Sequence, residues 1–362
     1  MKITVEDIGH IALGGAFLAT GGGGDTLVGE IIAEEAIKKH GPVELVPLDQ
    51  LADDATVVAI GGVGAPTIMQ EKTSNGDEPG WALDMLESYI GKRADALIAF
   101  EAGGLNALVP FVAAAARGLP VVDADGMGRA FPELQMESFS IYGVSATPLS
   151  AAGELGDSLI IKTRNSTIAE RLVRHFAVAA GGGQCTSAEH VMDGATAKRV
   201  SVKGTIGYCL EIGRLLERRR GKLDLFLADL ADFFAPTHYG AVKKLYEGKI
   251  ADVTRQVIGG YDVGALRVTA FEKGVADLDI QFKNEYLIAL KGDEPLAMTP
   301  DLICILDNET SRPITAETIR YGQRVTVIGV GAPAIMRTER ALEVVAPRNF
   351  GFDRDYVAIE DL

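Results

Sequence analysis

The chain has 362 residues, of which 47% are hydrophobic and 23% charged. This length exceeds what one hydrophobic core usually supports and the composition excludes wholesale disorder, so two domains are expected. Fifty acidic against 35 basic residues leave a formal charge of −15, which argues against a nucleic-acid or anionic-membrane partner.

The cysteines, Cys185, Cys209 and Cys304, are odd in number and widely spaced. They give neither a disulfide framework nor a paired-thiol metal site, and they suit a reducing compartment. The segment from Met1 to Glu6 shows no basic-then-apolar leader pattern. The apolar run from Ala107 to Ala116 carries Pro110 and is too short to span a bilayer. A soluble, cytoplasmic protein without membrane contact is the expectation.

In chain order, apolar residues at helical spacing predict helices over 6–18 and 26–39. Short apolar runs bounded by turn residues predict strands over 43–46, 56–60, 96–100 and 119–122. Between the last two lies an alanine-rich helix over 105–117, ended by Gly118 and Pro120. Strand, helix, strand in this order implies a right-handed crossover and a parallel pair. Residues 1–165 are therefore read as an α/β domain carrying the site. Beyond Asn165 the pattern predicts helices over 168–180 and 203–219. From about residue 251 it turns to strands, over 265–271, 278–282, 286–290, 302–306 and 324–328. Residues 166–362 are read as an α+β domain with a β-rich unit. No low-complexity linker separates the halves, so a packed seam is expected.

The segment from Gly62 to Met69 recurs from Gly329 to Met336 with one change. Either a strand-to-turn solution is reused, or two equivalent turns face one site. The separation excludes a solenoid period.

Three stretches could carry chemistry. In Thr20-Gly21-Gly22-Gly23-Gly24-Asp25, the N–H groups of Gly22, Gly23 and Gly24 can converge on an anion or a carbonyl oxygen, with Asp25 placed to cap the next helix. The simpler role is a glycine cap between helices. Neither nucleotide-binding glycine pattern is present, and no nucleotide is expected. The second stretch follows the strand at 119–122 and holds Asp123, Asp125, Arg129, Glu133 and Gln135, where open α/β sheets bind ligands. Asp123 and Asp125 alternate and so share a face. Close carboxylates split into acid and base, or hold a hard divalent cation, or are ordinary turn residues. The third stretch, Glu101-Ala102-Gly103-Gly104-Leu105-Asn106, should lie beside the second. It adds a carboxylate and an amide, which could equally serve as helix caps. His238, in a turn, could reach the site from the second domain. Cys185, which follows a glycine turn, has no paired base and reads as a buried thiol. His10, His40, His175 and His190 show no metal-ligand spacing.

These motifs carry a resemblance. The glycine cluster, the 101–106 stretch and above all Asp123-Ala124-Asp125-Gly126-Met127-Gly128-Arg129-Ala130-Phe131-Pro132-Glu133 resemble the S-methyl thiohydantoin desulfurase-like proteins. So do Tyr246-Glu247-Gly248-Lys249-Ile250-Ala251-Asp252-Val253, Asn284-Glu285-Tyr286-Leu287, Pro300-Asp301-Leu302-Ile303 and Pro347-Arg348-Asn349-Phe350-Gly351. The likeness covers nearly the whole chain. It implies two domains, an association with hydantoinase/oxoprolinase-type enzymes and a hydrolase that releases a sulfur leaving group from a cyclic thiohydantoin. The expected reaction is water attack on a five-membered cyclic amide or thioimidate. A carboxylate among Asp123, Asp125 and Glu133 acts as base, or a divalent metal on the aspartates activates the water. Gly22, Gly23, Gly24 and Asn106 stabilise developing charge. Arg129 clamps a substrate carboxylate, and Glu101, Gln135 and His238 complete the site. The alternative is a non-catalytic ligand-binding or assembly subunit of a hydantoinase-type enzyme. A homo-oligomer is compatible with either.

Overall fold

The computed structural model describes residues 1–24, 26–64, 74–180 and 183–362. Four parallel strands form the heart of the first sheet, in the order Val43–Pro47, Val121–Asp125, Ala96–Ala99, Thr56–Gly64. The central two are short runs rich in Val and Ala that are buried almost throughout, as strands covered on both faces must be. Beyond Thr56–Gly64 the sheet continues antiparallel through Gln184–Asp193, Leu149–Ala152 and Ser158–Ile161. The first sheet therefore does not stop at residue 165. The chain leaves it through helix Ser166–Ala179 and returns to place Gln184–Asp193 between two earlier strands. That strand, QCTSAEHVMD, is too polar for hydrophobic alternation to reveal it.

The second sheet has seven strands, all antiparallel. Their order is Glu294–Met298, Glu285–Lys291, Leu278–Lys283, Tyr261–Ala270, Val242–Ile258, Arg324–Val330, Leu302–Asp307. Its 17-residue strand Val242–Ile258 begins well before the predicted onset at 251. Tyr246, Gly248 and Ile250 are buried while Glu247 and Lys249 face out, a period of two that the small Gly248 conceals. Helix Glu78–Ile90 was also not legible from apolar spacing. It ends at Gly91, whose φ of 69° is a left-handed cap. Among the described residues, no helix is long and apolar enough to cross a membrane.

Helices Val5–Leu18 and Thr205–Arg218 pack backbone against backbone. A Cβ on Gly14 would lie 1.8 Å from the Cys209 carbonyl oxygen, and one on Gly213 would lie 1.9 Å from that of His10. The core they build runs without a break from Ile11 and Phe17 to Leu302, Cys304, Ile328 and Val330 of the second sheet. The Cys304 thiol donates to the Phe17 carbonyl at 3.2 Å across this seam. One apolar cluster thus crosses the seam, packed as the missing linker led us to expect, while the second sheet keeps a further cluster of its own around Ile250, Ile280 and Val327.

Replacing Gly14 or Gly213 with Ala forces these helices apart. Each variant should lose roughly 1–3 kcal/mol or more by overpacking, seen as a lower midpoint in thermal or urea melts. Gly118→Ala, whose Cβ would meet nothing within 4 Å, strains only a left-handed cap. It should cost about 1 kcal/mol.

Candidate functional site

The carboxyl ends of strands Ala96–Ala99 and Val121–Asp125 sit side by side. The N–H of Gly126 donates to the Phe100 carbonyl at 2.8 Å, and that of Ala102 to Asp125 Oδ2 at 2.6 Å. The 101–106 and 123–136 stretches therefore meet at one edge of the sheet, on the side where ligands bind in such folds. Next to them lies a pocket of about 590 Å³, mouth included. Its walls come from both halves of the chain. Gly23, Gly62, Glu101, Asn106, Glu133 and Glu137 line it from the first half, and Glu170, Arg174, Asn284 and Glu285 from the second.

Asp123 and Asp125 do share a face, but it is turned towards helix Thr205–Arg218, away from the pocket. Asp123 accepts the Gly207 N–H at 2.8 Å, and burial raises its pKa. Asp125 is fully buried and accepts from the Ala102 and Gly128 N–H groups. Burial pushes it up to about 7 against the pull of these donors. This pair is the internal brace of the loops, and it corrects the expectation of aspartates presented to a ligand or a metal.

Arg129 is likewise not a clamp for a substrate carboxylate. It is wholly buried, and its nitrogens donate to the Ala130, Pro300, Asp301 and Tyr286 carbonyls and to Thr20 Oγ1. Burial lowers its pKa to about 10. His238 packs against Tyr208 and Tyr239, outside the pocket walls. Burial and then Lys203 lower it to about 4. Glu133 stands in the pocket wall, bonded to Lys283 and to Gln135. Cys185 is buried, and that burial pushes its thiol up to about 12, which fits the inert reading.

Of the glycine cluster, Gly23 and Gly24 line the pocket. Their neighbour Gly22 makes room for a carboxylate, because a Cβ there would lie 1.9 Å from Glu285 Oε1. The Gly23 carbonyl accepts the Leu105 N–H at 2.8 Å, locking the glycine loop to the 101–106 stretch. The cap expected from Asp25 lies outside the described residues, as do positions 65–69 of the repeat and the glycines at 181 and 182. Of the repeat's first copy, Gly62, Val63 and Gly64 line the pocket. In the second copy, the Ala332 N–H donates to Asp301 at 2.8 Å. Pro333 packs on Gly128, outside the pocket walls. The described part therefore fits a reused turn and not two turns facing one site.

The groups that do converge are Glu101 and Glu285. Glu101 accepts from Asn106 Nδ2 at 2.7 Å and from the Phe131 N–H at 3.0 Å. Burial carries its pKa up to about 8 despite both donors. Asn106 is fully engaged. Its Oδ1 accepts the Gly62 N–H at 2.6 Å, and its amide also reaches the Gly62 carbonyl at 3.3 Å. It orients Glu101 and has no donor left for a ligand. Glu285 is raised well above its ordinary value by burial and then by the charge of Glu101, while Arg129 pulls it back. Its Oε2 has no hydrogen-bond partner. Sequence reasoning placed Glu285 in a familiar motif but not in the site. The signal was an acid opening the otherwise apolar strand Glu285–Lys291.

Glu137 lines the pocket as well, and burial and then Glu189 raise its pKa far above the usual range. Behind it, Glu189 and His190 are completely buried. Among the described residues this is the group of His, Cys, Asp and Glu whose ligand atoms converge, all within 4.8 Å of one another. The remaining cation in the walls is spoken for. Arg174 donates to Glu170 Oε1 at 2.6 Å and to the Pro132 and Gly260 carbonyls at 2.9 and 3.0 Å.

The molecule is thus a two-domain α/β protein with a carboxylate-lined pocket where its halves meet. Residues 6–163 match the S-Me-THD-like N-terminal domain and residues 163–359 the S-Me-THD-like C-terminal domain, so the chain belongs to the S-Me-THD-like family. The fold is similar to that of a crystal structure of a protein from Chromobacterium violaceum. The TM-score is 0.81 and the identity 24%, over 99% of this chain and 100% of that one. No curated protein matches the chain.

Asp125→Asn turns an amide towards backbone N–H donors and should destabilise the fold by roughly 1–3 kcal/mol or more. Asp123→Asn keeps an acceptor for Gly207 and should cost less, a ranking that urea melts check. The pH dependence has a definite sign. Asp125 and Glu101 have ordinary values of 3.8 and 4.5 and folded values of about 7 and about 8. Between those limits the folded chain holds protons that the unfolded chain has released, so stability falls as pH rises. Melting midpoints taken at pH 5 and pH 8 should show the loss, and Glu101→Gln should reduce it.

Proposed function

We propose that the chain is a hydrolase acting on a small, uncharged five-membered cyclic amide or thioimidate of the thiohydantoin or hydantoin kind. The observation that carries this reading is the pair of buried carboxyls, Glu101 and Glu285, contributed by the two halves to one pocket wall. Two such groups with raised pKa values suit one proton acceptor and one proton donor near neutral pH. The family description supports the substrate class. The electrostatics support an uncharged ring, because five glutamates line the pocket and its arginine is already bonded.

On an S-methyl thioimidate ring, ionised Glu101 takes a proton from water as its oxygen bonds to the ring carbon. The C=N π pair moves to the ring nitrogen as this bond forms and re-forms C=N as the carbon–sulfur bond breaks. Protonated Glu285 gives its proton to sulfur, the remaining hydroxyl proton passes to the ring nitrogen, and a ring carbonyl and methanethiol result, with Glu101 returning its proton to Glu285. Asn106 holds Glu101 in place, and Gly23 and Gly24 line the pocket in which the ring would meet both carboxyls.

The test is the purified chain alone, given S-methyl thiohydantoins and hydantoins, with thiol release and ring products followed. Turnover should rise with pH through about 8 as Glu101 ionises. Glu101→Gln and Glu285→Gln should each lower it by about 10²- to 10⁴-fold, and Glu101→Gln should lack the rising limb. A chain that binds these rings without turning them over would overturn this reading in favour of a ligand-binding subunit.

A further inference from the structure

Strand Gln184–Asp193 carries a β-bulge. Val57 pairs with Met192 and Ala59 with Glu189, so Val58 faces two residues, His190 and Val191. His190 takes a φ of 42°, which a non-glycine residue adopts rarely. Successive side chains on a regular strand point to opposite faces. The bulge instead brings the Glu189 and His190 side chains together, against Glu137.

What they face is an unanswered set of polar atoms. His190 Nδ1 lies 3.0 Å from Glu189 Oε1 and 3.4 Å from Glu137 Oε2. None of these three buried atoms has a hydrogen-bond partner while both carboxyls are ionised, and Glu137 and Glu189 stand close enough to share a proton. The outer atoms are all anchored. Ser187 donates to Glu189 Oε2 at 2.8 Å. Ser140 Oγ lies 2.8 Å from His190 Nε2 and gives its own proton to Ser166 at 2.8 Å. In the neutral ring Ser140 then accepts from Nε2–H, and the Nδ1 lone pair faces two carboxylate oxygens. One proton shared between the carboxylates would still leave Nδ1 unanswered. A cation among the three atoms answers them all.

We propose that Glu137, Glu189 and His190 form a binding site for one divalent first-row transition-metal ion. An imidazole with two carboxylates selects ions of the zinc, manganese and iron kind over magnesium or calcium. Ligand atoms about 2.0–2.1 Å from such an ion stand about 2.8–3.4 Å apart at octahedral or tetrahedral angles. The two separations from Nδ1 fall in that range. Ser140 and Ser187 are the outer partners that fix the histidine tautomer and the carboxylate orientation. Three protein ligands leave a position for water, and Glu137, the ligand that lines the pocket, marks the side on which it opens. Such an ion would supply a Lewis acid next to the two carboxyls of the pocket wall.

The test reads metal, not turnover, so it stands apart from the fate of the thiohydantoin reading. The full chain, stripped with a chelator, is titrated with Zn²⁺, Mn²⁺ and Mg²⁺ by calorimetry, and its melting midpoint is followed. One equivalent of Zn²⁺ or Mn²⁺ should bind and raise the midpoint, and Mg²⁺ should bind far more weakly. Glu189→Gln, which keeps the side-chain shape, and His190→Ala should each weaken binding at least about 100-fold, and Ser187→Ala about 10-fold. His238→Ala should bind as the parent does. A parent chain that takes up no Zn²⁺ or Mn²⁺, or uptake unchanged in the folded Glu189→Gln variant, would overturn the site.

Discussion

Everything about the pocket depends on one buried charge. The guanidinium of Arg129 has no contact with water, and acceptors from both halves of the chain surround it. Moving a charge out of water is expensive unless nearly every donor is met. Thr20, Ala130, Tyr286, Pro300 and Asp301 can meet these donors only when the glycine loop, the 123–136 stretch and the second sheet are all in place. Satisfying Arg129 thus fixes the relative position of the two halves. It also sets the Glu285-bearing strand against the loop that carries Glu101.

That constraint explains why the pocket can be so acidic. Glu101, Glu285 and Glu137 are crowded and poorly hydrated, and each is raised above its ordinary range. Arg129 from behind the walls and Arg174 within them supply positive charge while their donors remain bonded to the protein. Cations held in this way moderate the field without being offered to a ligand. The result is a pocket in which protons are mobile near neutral pH and which disfavours anions.

Much of the first sheet was legible in the sequence. Its parallel strands are short, apolar and bounded by turns, so 43–46, 56–60 and 119–122 begin within two residues of the observed elements, although the last two strands run on three or four residues further, and the 101–106 and 123–136 stretches meet as the strand order implied. The family was legible too, because its motifs are local in sequence. The strand Gln184–Asp193 was not, since its polar residues are buried inside the protein and leave no hydrophobic period. The site was legible only in part. Glu101, Asn106, Gly23, Gly24 and Glu133 reach the pocket, whereas Asp123, Asp125 and Arg129 spend their charge on backbone groups. Charge in a loop after a strand signals an end rich in hydrogen bonds, but it does not say whether those bonds go inward or to a ligand. Glu285 escaped because its surroundings, Gly22 and Glu101, come from the far end of the chain, and His190 because its placement arises from a bulge that a string of letters does not display.

The absence of a side chain at position 22 has a consequence for how this chain can vary. The space where its Cβ would sit is already filled by Glu285, so the two positions behave as a lock and its key cut from distant parts of one gene. A larger residue at 22 could be accommodated only alongside a shorter one at 285, and that exchange would remove a carboxyl from the pocket. Drift at this loop is therefore coupled to the far domain, and a relative that has lost the glycine will have lost, or moved, this carboxyl.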